Sequence, residues 1–384
     1  MKKLIIIIIV LFYVILSPTL VQASENNINT TNQNDKEVEQ LYNYMTNMKT
    51  KYELLKNLDI EDYVQNVMKS GDGKFSFKKL ITAVADYAVK DIIADVKLMT
   101  MLLIICVICA LLINLQRAFS SESLSNIAYF ACYSLIIIIV AKSFYIGVAE
   151  VKDAVKGLSD FMMALMPVLL VLLATSGGAV QSAVIDPIIM VTISITSEII
   201  INVILPLIVL SFVLQFVNNI SEDYKIDRLA KLLKQSVLWI QGFVMTIFIG
   251  IVTIRGISAK AIDEVTAKTA KFAVDNFVPV VGKCLSDAIS TVVGYSAVIK
   301  NAISSVGLII LIAIVALPII KLFILAFVHK LTAALVQPIS DKRLVSVINA
   351  AGDTLILLAA SLISISVMFF IIIAIIASCG NNIS

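Results

Sequence analysis

An all-α, polytopic membrane protein with about six or seven spans is the fold class predicted by three features of this sequence. First, 59% of its 384 residues are hydrophobic and only 15% are charged, whereas a typical soluble domain is about 25% charged. Mean hydropathy is +0.97, so most of the chain lacks the polar surface that water demands. Second, the apolar residues fall in uncharged runs, several of which reach the ~20 residues that cross a bilayer as a helix. Third, proline and glycine interrupt some of the runs, which predicts broken or re-entrant helices and an internal duplication. A net charge of +3 is too small and dispersed to suggest nucleic acid.

The N-terminus reads as a targeting segment. Lys2 and Lys3 precede an apolar stretch from Leu4 to Leu16, and Val21, Gln22 and Ala23 form a small-x-small cleavage site before Ser24. Residues 1–23 are therefore expected to be a secretory signal peptide, its core of ~13 residues being short for a span; an uncleaved first helix is the competing reading. Residues 24–37 are rich in Asn and Thr with little to bury, and are expected to be a disordered linker. Residues 38–96 form an exported helical region. There Leu41, Tyr44, Met45, Met48, Tyr52 and Leu55 recur at helical spacing, and Gly71, Asp72 and Gly73 make a turn before a helix capped by Ser76. An EF-hand is excluded at that turn, because the twelfth position counted from Asp72 is Ala83 rather than Glu.

Uncharged runs then extend over Leu98–Gln116, Ser123–Ala141, Phe161–Ile185, Pro187–Ser197, Ile199–Ser221, Gln235–Ile254, Asn301–Ile320 and from Thr354 onward. Residues 97–158 are expected to hold the first two transmembrane helices. Two amphipathic stretches are predicted to lie along the membrane surface: Ile226, Leu229, Leu233 and Ile240 opposite Arg228, Lys231 and Lys234, then Ile257, Ala261, Val265 and Phe272 opposite Lys260, Glu264 and Lys271. Both adjoining loops are basic, so the positive-inside rule leaves the later topology open. Of the five cysteines, Cys106, Cys109, Cys132 and Cys379 lie in apolar runs, where small packing residues are expected rather than disulfides or metal ligands.

A repeat organises the remainder. Pro167 and Pro206 are separated as Pro279 and Pro318 are; Met166-Pro167-Val168 aligns with Val278-Pro279-Val280, and Leu205-Pro206-Leu207-Ile208 with Leu317-Pro318-Ile319-Ile320. Asp227-Arg228-Leu229 resembles Asp341-Lys342-Arg343-Leu344. This predicts membrane repeat 1 over 159–256 and membrane repeat 2 over 257–384, parallel or inverted. Paired broken helices in such duplications frame sites in transporters, while a symmetric scaffold is the plainer reading.

Candidate intramembrane groups are the polar residues inside these runs, since a charge at bilayer depth costs at least ~2.5 kcal/mol unless paired or hydrated. Ser194, Glu198 and Asn202 form one stripe at i, i+4 and i+8, expected to face other helices or a water-filled cavity. Its readings are a proton or cation relay, or a neutral, protonated Glu198 hydrogen-bonded to a neighbouring helix. Asp186, Lys300, Asn301 and Lys321 lie near run ends, where long side chains can snorkel. The Ser176-Gly177-Gly178 turn either offers backbone donors to an anion or lets the chain reverse tightly. No catalytic residue, cofactor or metal is expected: His329 is the single histidine, and no GxxxxGK[ST], HExxH or GxSxG occurs. Trp239 and the tyrosines near run ends are expected to anchor interfaces.

Several segments together resemble one family. These are Leu172-Leu173-Ala174-Thr175-Ser176-Gly177-Gly178-Ala179-Val180, Lys271-Phe272, Asn276-Phe277-Val278-Pro279-Val280-Val281-Gly282, Ser286-Asp287-Ala288, Lys300-Asn301-Ala302, Pro318-Ile319-Ile320-Lys321 and Gln337-Pro338. They resemble the stage III sporulation protein AE family of endospore-forming Firmicutes over nearly the whole chain, with an acid at 198 departing from its pattern. The resemblance implies a polytopic component of the mother-cell to forespore channel, or feeding tube. It also implies a place in the outer forespore membrane with the exported region in the intermembrane space. Implied partners are the lipid bilayer, the other proteins of its operon (a secretion-type ATPase and ring-forming membrane proteins among them) and forespore channel protein Q. Two roles are compatible with the resemblance: a core or assembly subunit, and a permease-like path for small metabolites.

Overall fold

The structure is a computed structural model that describes residues 77–118, 122–220, 226–277 and 282–379. The chain divides into two units, 1–36 and 37–384, and every described residue belongs to the second. The expected signal peptide, the linker, residues 38–76 of the exported region, Pro279 and the Ser76 cap lie outside the described residues.

The described residues are helical and include no strand. In chain order the helices are α1 (Phe77–Ala118), α2 (Glu122–Thr175), α3 (Ala179–Ile199), a π-helical turn (Ile200–Ile204), α4 (Leu205–Ile220), α5 (Asp227–Phe277), α6 (Gly282–Val336) and α7 (Lys342–Ser378). Among the described residues, five helical stretches are long and apolar enough to cross a membrane: Phe130–Thr175, Ala179–Asn219, Asp227–Thr253, Val293–Val336 and Lys342–Ser378; Val96–Leu112 is apolar but shorter. The chain is thus an all-α polytopic membrane protein.

Helix continuity is the main departure from expectation. The domain boundaries placed at 96/97, 158/159 and 256/257 all fall inside unbroken helices. The 54 residues of α2 measure ~80 Å along the axis and join the apolar runs 123–141 and 161–175 through a charged middle. That middle stays helical because it is amphipathic: Phe144, Val151, Ala154, Val155 and Leu158 are buried, while Lys142, Lys152, Asp153, Lys156 and Asp160 are exposed. Both stretches expected to lie on the membrane surface belong to one 51-residue helix, α5. Over its first half the buried line runs through Ala230, Val237, Gln241, Phe248 and Val252, not through Leu229, which is exposed. Lys234, expected on the polar side, instead donates inward to the Oε1 of Gln215 at 3.3 Å.

The packed centre is formed by α2, α6 and α7. Phe161, Leu165 and Leu169 of α2, Ile310 and Ile314 of α6, and Leu358, Leu362, Ile365 and Phe369 of α7 are fully or almost fully buried. In lipid no hydrophobic drive favours helix association, so contact depends on close van der Waals fit and internal hydrogen bonds. Glycine provides that approach at two crossings. A Cβ on Gly307 of α6 would stand 2.7 Å from Leu165 of α2, and one on Gly147 of α2 would stand 2.6 Å from Leu355 of α7 and 3.2 Å from Leu322 of α6. These contacts make α6 antiparallel to α2. The pair Lys330–Asp353, at 2.6 Å, likewise makes α7 antiparallel to α6.

The helices that begin at the two matched aspartate segments, α5 and α7, run in the same sense. Asp227 stands in the first turn of α5, and Asp341 caps α7 by accepting from the Arg343 backbone N–H. Helices α5 and α7 lie side by side and parallel, with Lys234 near Asp353 and Gln241 bonded to Ala360. Pro206 follows the π turn at the start of α4, whereas Pro318 sits inside continuous α6. The chain breaks at 176–178, but the matching positions, 288–290, lie within α6.

Candidate functional site

One end of the bundle gathers several of the residues singled out from sequence. At the end of α2 the backbone N–H of Gly178 donates to the Leu173 carbonyl at 3.0 Å and that of Gly177 to Ala174 at 3.4 Å, while Gly177 takes φ 93°. This is a Schellman cap, in which glycine supplies the left-handed conformation. The N–H of Ser176 is also bonded back to Leu172 and Leu173. The donors of 176–178 are therefore spent on the cap, and the turn acts as a tight reversal instead of an anion cradle. Gly178 is further held by close approach, since a Cβ there would stand 2.7 Å from Leu173.

From this reversal α3 begins, and buried Gln181 in its first turn donates to the Cys379 Sγ at 3.0 Å. Lys300 of α6 is fully buried and donates to the Cys379 carbonyl. A cation at the C-terminal end of α7 sits where the helix dipole is negative and unpaired carbonyls need donors. Lys300 thus ties α6 to the end of α7, with Gln181 bringing in α3. It does not snorkel outward as its place near a run end had suggested. Asn301, half-buried, is adjacent on α6.

Lys321 is engaged as well. It forms an ion pair with Glu150 of α2, 171 residues away in the chain, in the level where Gly147 lets α2 approach α6 and α7. Pro167 lies half-buried within α2 and Pro318 half-buried within α6. A third clasp was not singled out from sequence: Gln241 of α5 donates to the Ala360 carbonyl at 3.0 Å and to the Ser364 hydroxyl, and accepts from Ser361 at 3.4 Å. A glutamine inside the run Gln235–Ile254 was the signal for it.

The stripe of Ser194, Glu198 and Asn202 has a different fate. Ser194 donates back to the Met190 carbonyl at 3.1 Å, but Glu198 and Asn202 are exposed on the outer side of α3 and the π turn. Among the described residues they face neither the other helices nor an interior cavity. Buried Ser197 and Ile200 occupy the inward positions beside them. Trp239 is 72% exposed on α5, with Leu238, Gly242, Phe243 and Thr246 around it in an open pocket.

Cys106, Cys109, Cys132 and Cys379 are buried and form no disulfide, the first three lying near one another where α1 meets α2. His329 is buried, its Nδ1 2.7 Å from the Leu325 carbonyl. Among the described residues no group of three or more His, Cys, Asp or Glu side chains is placed to hold a metal ion.

These features define a multi-pass helical membrane protein whose intramembrane lysines serve as ties between helices. Residues 58–380 match the family described as Stage III sporulation protein AE. A stage III sporulation protein AE of Bacillus subtilis (strain 168) is 36% identical over 312 residues, covering 81% of this chain and 78% of that protein. The chain belongs to the stage III sporulation protein AE family. No solved structure matches it.

Proposed function

We propose that this protein is a core and assembly subunit of the channel joining mother cell to forespore, required for late forespore development and without enzymatic chemistry of its own. It resides in the outer forespore membrane with its N-terminal region in the intermembrane space. There it meets the other proteins of its operon, including the secretion-type ATPase and ring-forming membrane proteins, and forespore channel protein Q. Family membership supports the sporulation role. The observation that carries the assembly role is the engagement of Lys300 with the end of α7 and of Lys321 with Glu150. Cations that a permease would present to a solute are here closed into helix-to-helix ties, as befits a scaffold.

The test substitutes Lys300→Met and Lys321→Met in the sporulating host, scoring forespore gene expression and recovery of the channel complex separately. Loss of development in step with loss of assembly is expected. An assembled complex that fails to support the forespore, or solute flux through the purified protein alone in liposomes, would instead favour the permease-like path.

A further inference from the structure

The outer face of α3, the π turn and α4 carries an exposed polar group that no other described helix covers. Pro187, Val191, Glu198, Asn202, Pro206 and Leu210 are all exposed, and their spacing places them along one side. Glu198 is the sole charge between Pro187 and Asn219. It has no ion-pair partner among the described residues. Asn202 follows on the same face one turn later. Between them the helix widens: the N–H of Leu205 reaches back to the Ile200 carbonyl, and Pro206 has no N–H to offer the carbonyls of the turn before it. The face therefore presents two carboxylate oxygens and a carboxamide oxygen against two carboxamide N–H groups. It is negative and short of donors, and it is set in an otherwise apolar surface.

We propose that this face binds a transmembrane helix of another membrane protein that carries a lysine or arginine at the level of Glu198. Charge complementarity favours such an occupant over a second copy of this chain. Four lysines of this chain's own apolar helices are already engaged: Lys234 with Gln215, Lys300 with Cys379, Lys321 with Glu150 and Lys330 with Asp353. Lys152 and Lys156 share their helix face with Asp153 and Asp160. Two copies meeting through this face would oppose two Glu198 side chains. A basic helix from elsewhere supplies both the missing charge and the missing donors, and the π turn is the irregularity that often marks a functional segment.

The probe is a fluorescent, otherwise Leu-Ala transmembrane peptide with one central lysine, compared with the same peptide carrying leucine there. Energy transfer to the labelled full-length protein in phosphatidylcholine vesicles reads the association. The lysine peptide is expected to bind about tenfold more tightly than the leucine peptide. Glu198→Gln should remove most of that preference and Asn202→Leu should reduce it about threefold, with the melting temperature of each variant unchanged. Equal binding of the two peptides, or a preference that survives Glu198→Gln, overturns the proposal. So does energy transfer between copies of the protein that Glu198→Gln abolishes, which would assign the face to self-association.

Discussion

The interface of α2, α6 and α7 and the outer face of α3 and α4 handle the same difficulty in opposite ways. Both belong to apolar helices that carry polar side chains, and in lipid such groups need partners. At the interface the partners come from within: Lys300 meets a helix end, Lys321 meets Glu150, and glycines let the backbones close until the ties form. On the outer face Glu198 and Asn202 are left open. An intramembrane polar residue is thus a structural tie where a second element of the chain reaches it, and an outward-facing group where none does.

The strongest test of this contrast is to jam the interface. Gly147→Leu drives a side chain into Leu355 and Leu322 and should cost about 3 kcal/mol or prevent recovery of folded protein, since overpacking typically costs 1–3 kcal/mol and more for a large insertion. A thermal melt in detergent micelles reads it; an unchanged melt would mean that the helices are not closely fitted. Next, Lys321→Met leaves Glu150 without its cation. Because both side chains retain partial exposure, 24% and 31%, the expected loss is about 1–2 kcal/mol, below that of a fully buried pair. The double variant Lys321→Met/Glu150→Leu should recover most of it, and a double-mutant cycle measures the coupling.

Gly177→Ala sharpens the turn assignment. Alanine is strained at φ 93°, with an expected loss of about 1 kcal/mol, while Ser176→Ala should cost less because the cap bonds are made by the backbone. The smallest effect is expected on the open face. Glu198→Leu should leave the melting temperature of the isolated protein unchanged or slightly raised, since leucine is better tolerated by lipid. A marked loss there would show that Glu198 is a structural tie after all and erase the distinction between the two regions.

Much of this was legible before the fold. The Schellman reversal was foreshadowed by Ser176-Gly177-Gly178, because a left-handed residue at a helix end calls for glycine. The i, i+4, i+8 stripe was visible from spacing alone, though which way it faces was not. Lys321 looked like a snorkelling residue near a run end because its partner, Glu150, lies 171 positions earlier, and pattern along a chain carries no pairing at that range. The charged middle of α2 could have been read as helix from the periodicity of Val151, Ala154, Val155 and Leu158.

Helical class, membrane residence and the identity of the intramembrane polar residues follow from composition and local periodicity, which act over a few turns and do not depend on what lies alongside. Which lysine ties which helices, and which carboxylate is left facing outward, depends on how the described helices pack. That packing is governed by side-chain volume and backbone approach between residues far apart in the chain, as at Gly147 and Gly307, and these properties are realised when the helices meet.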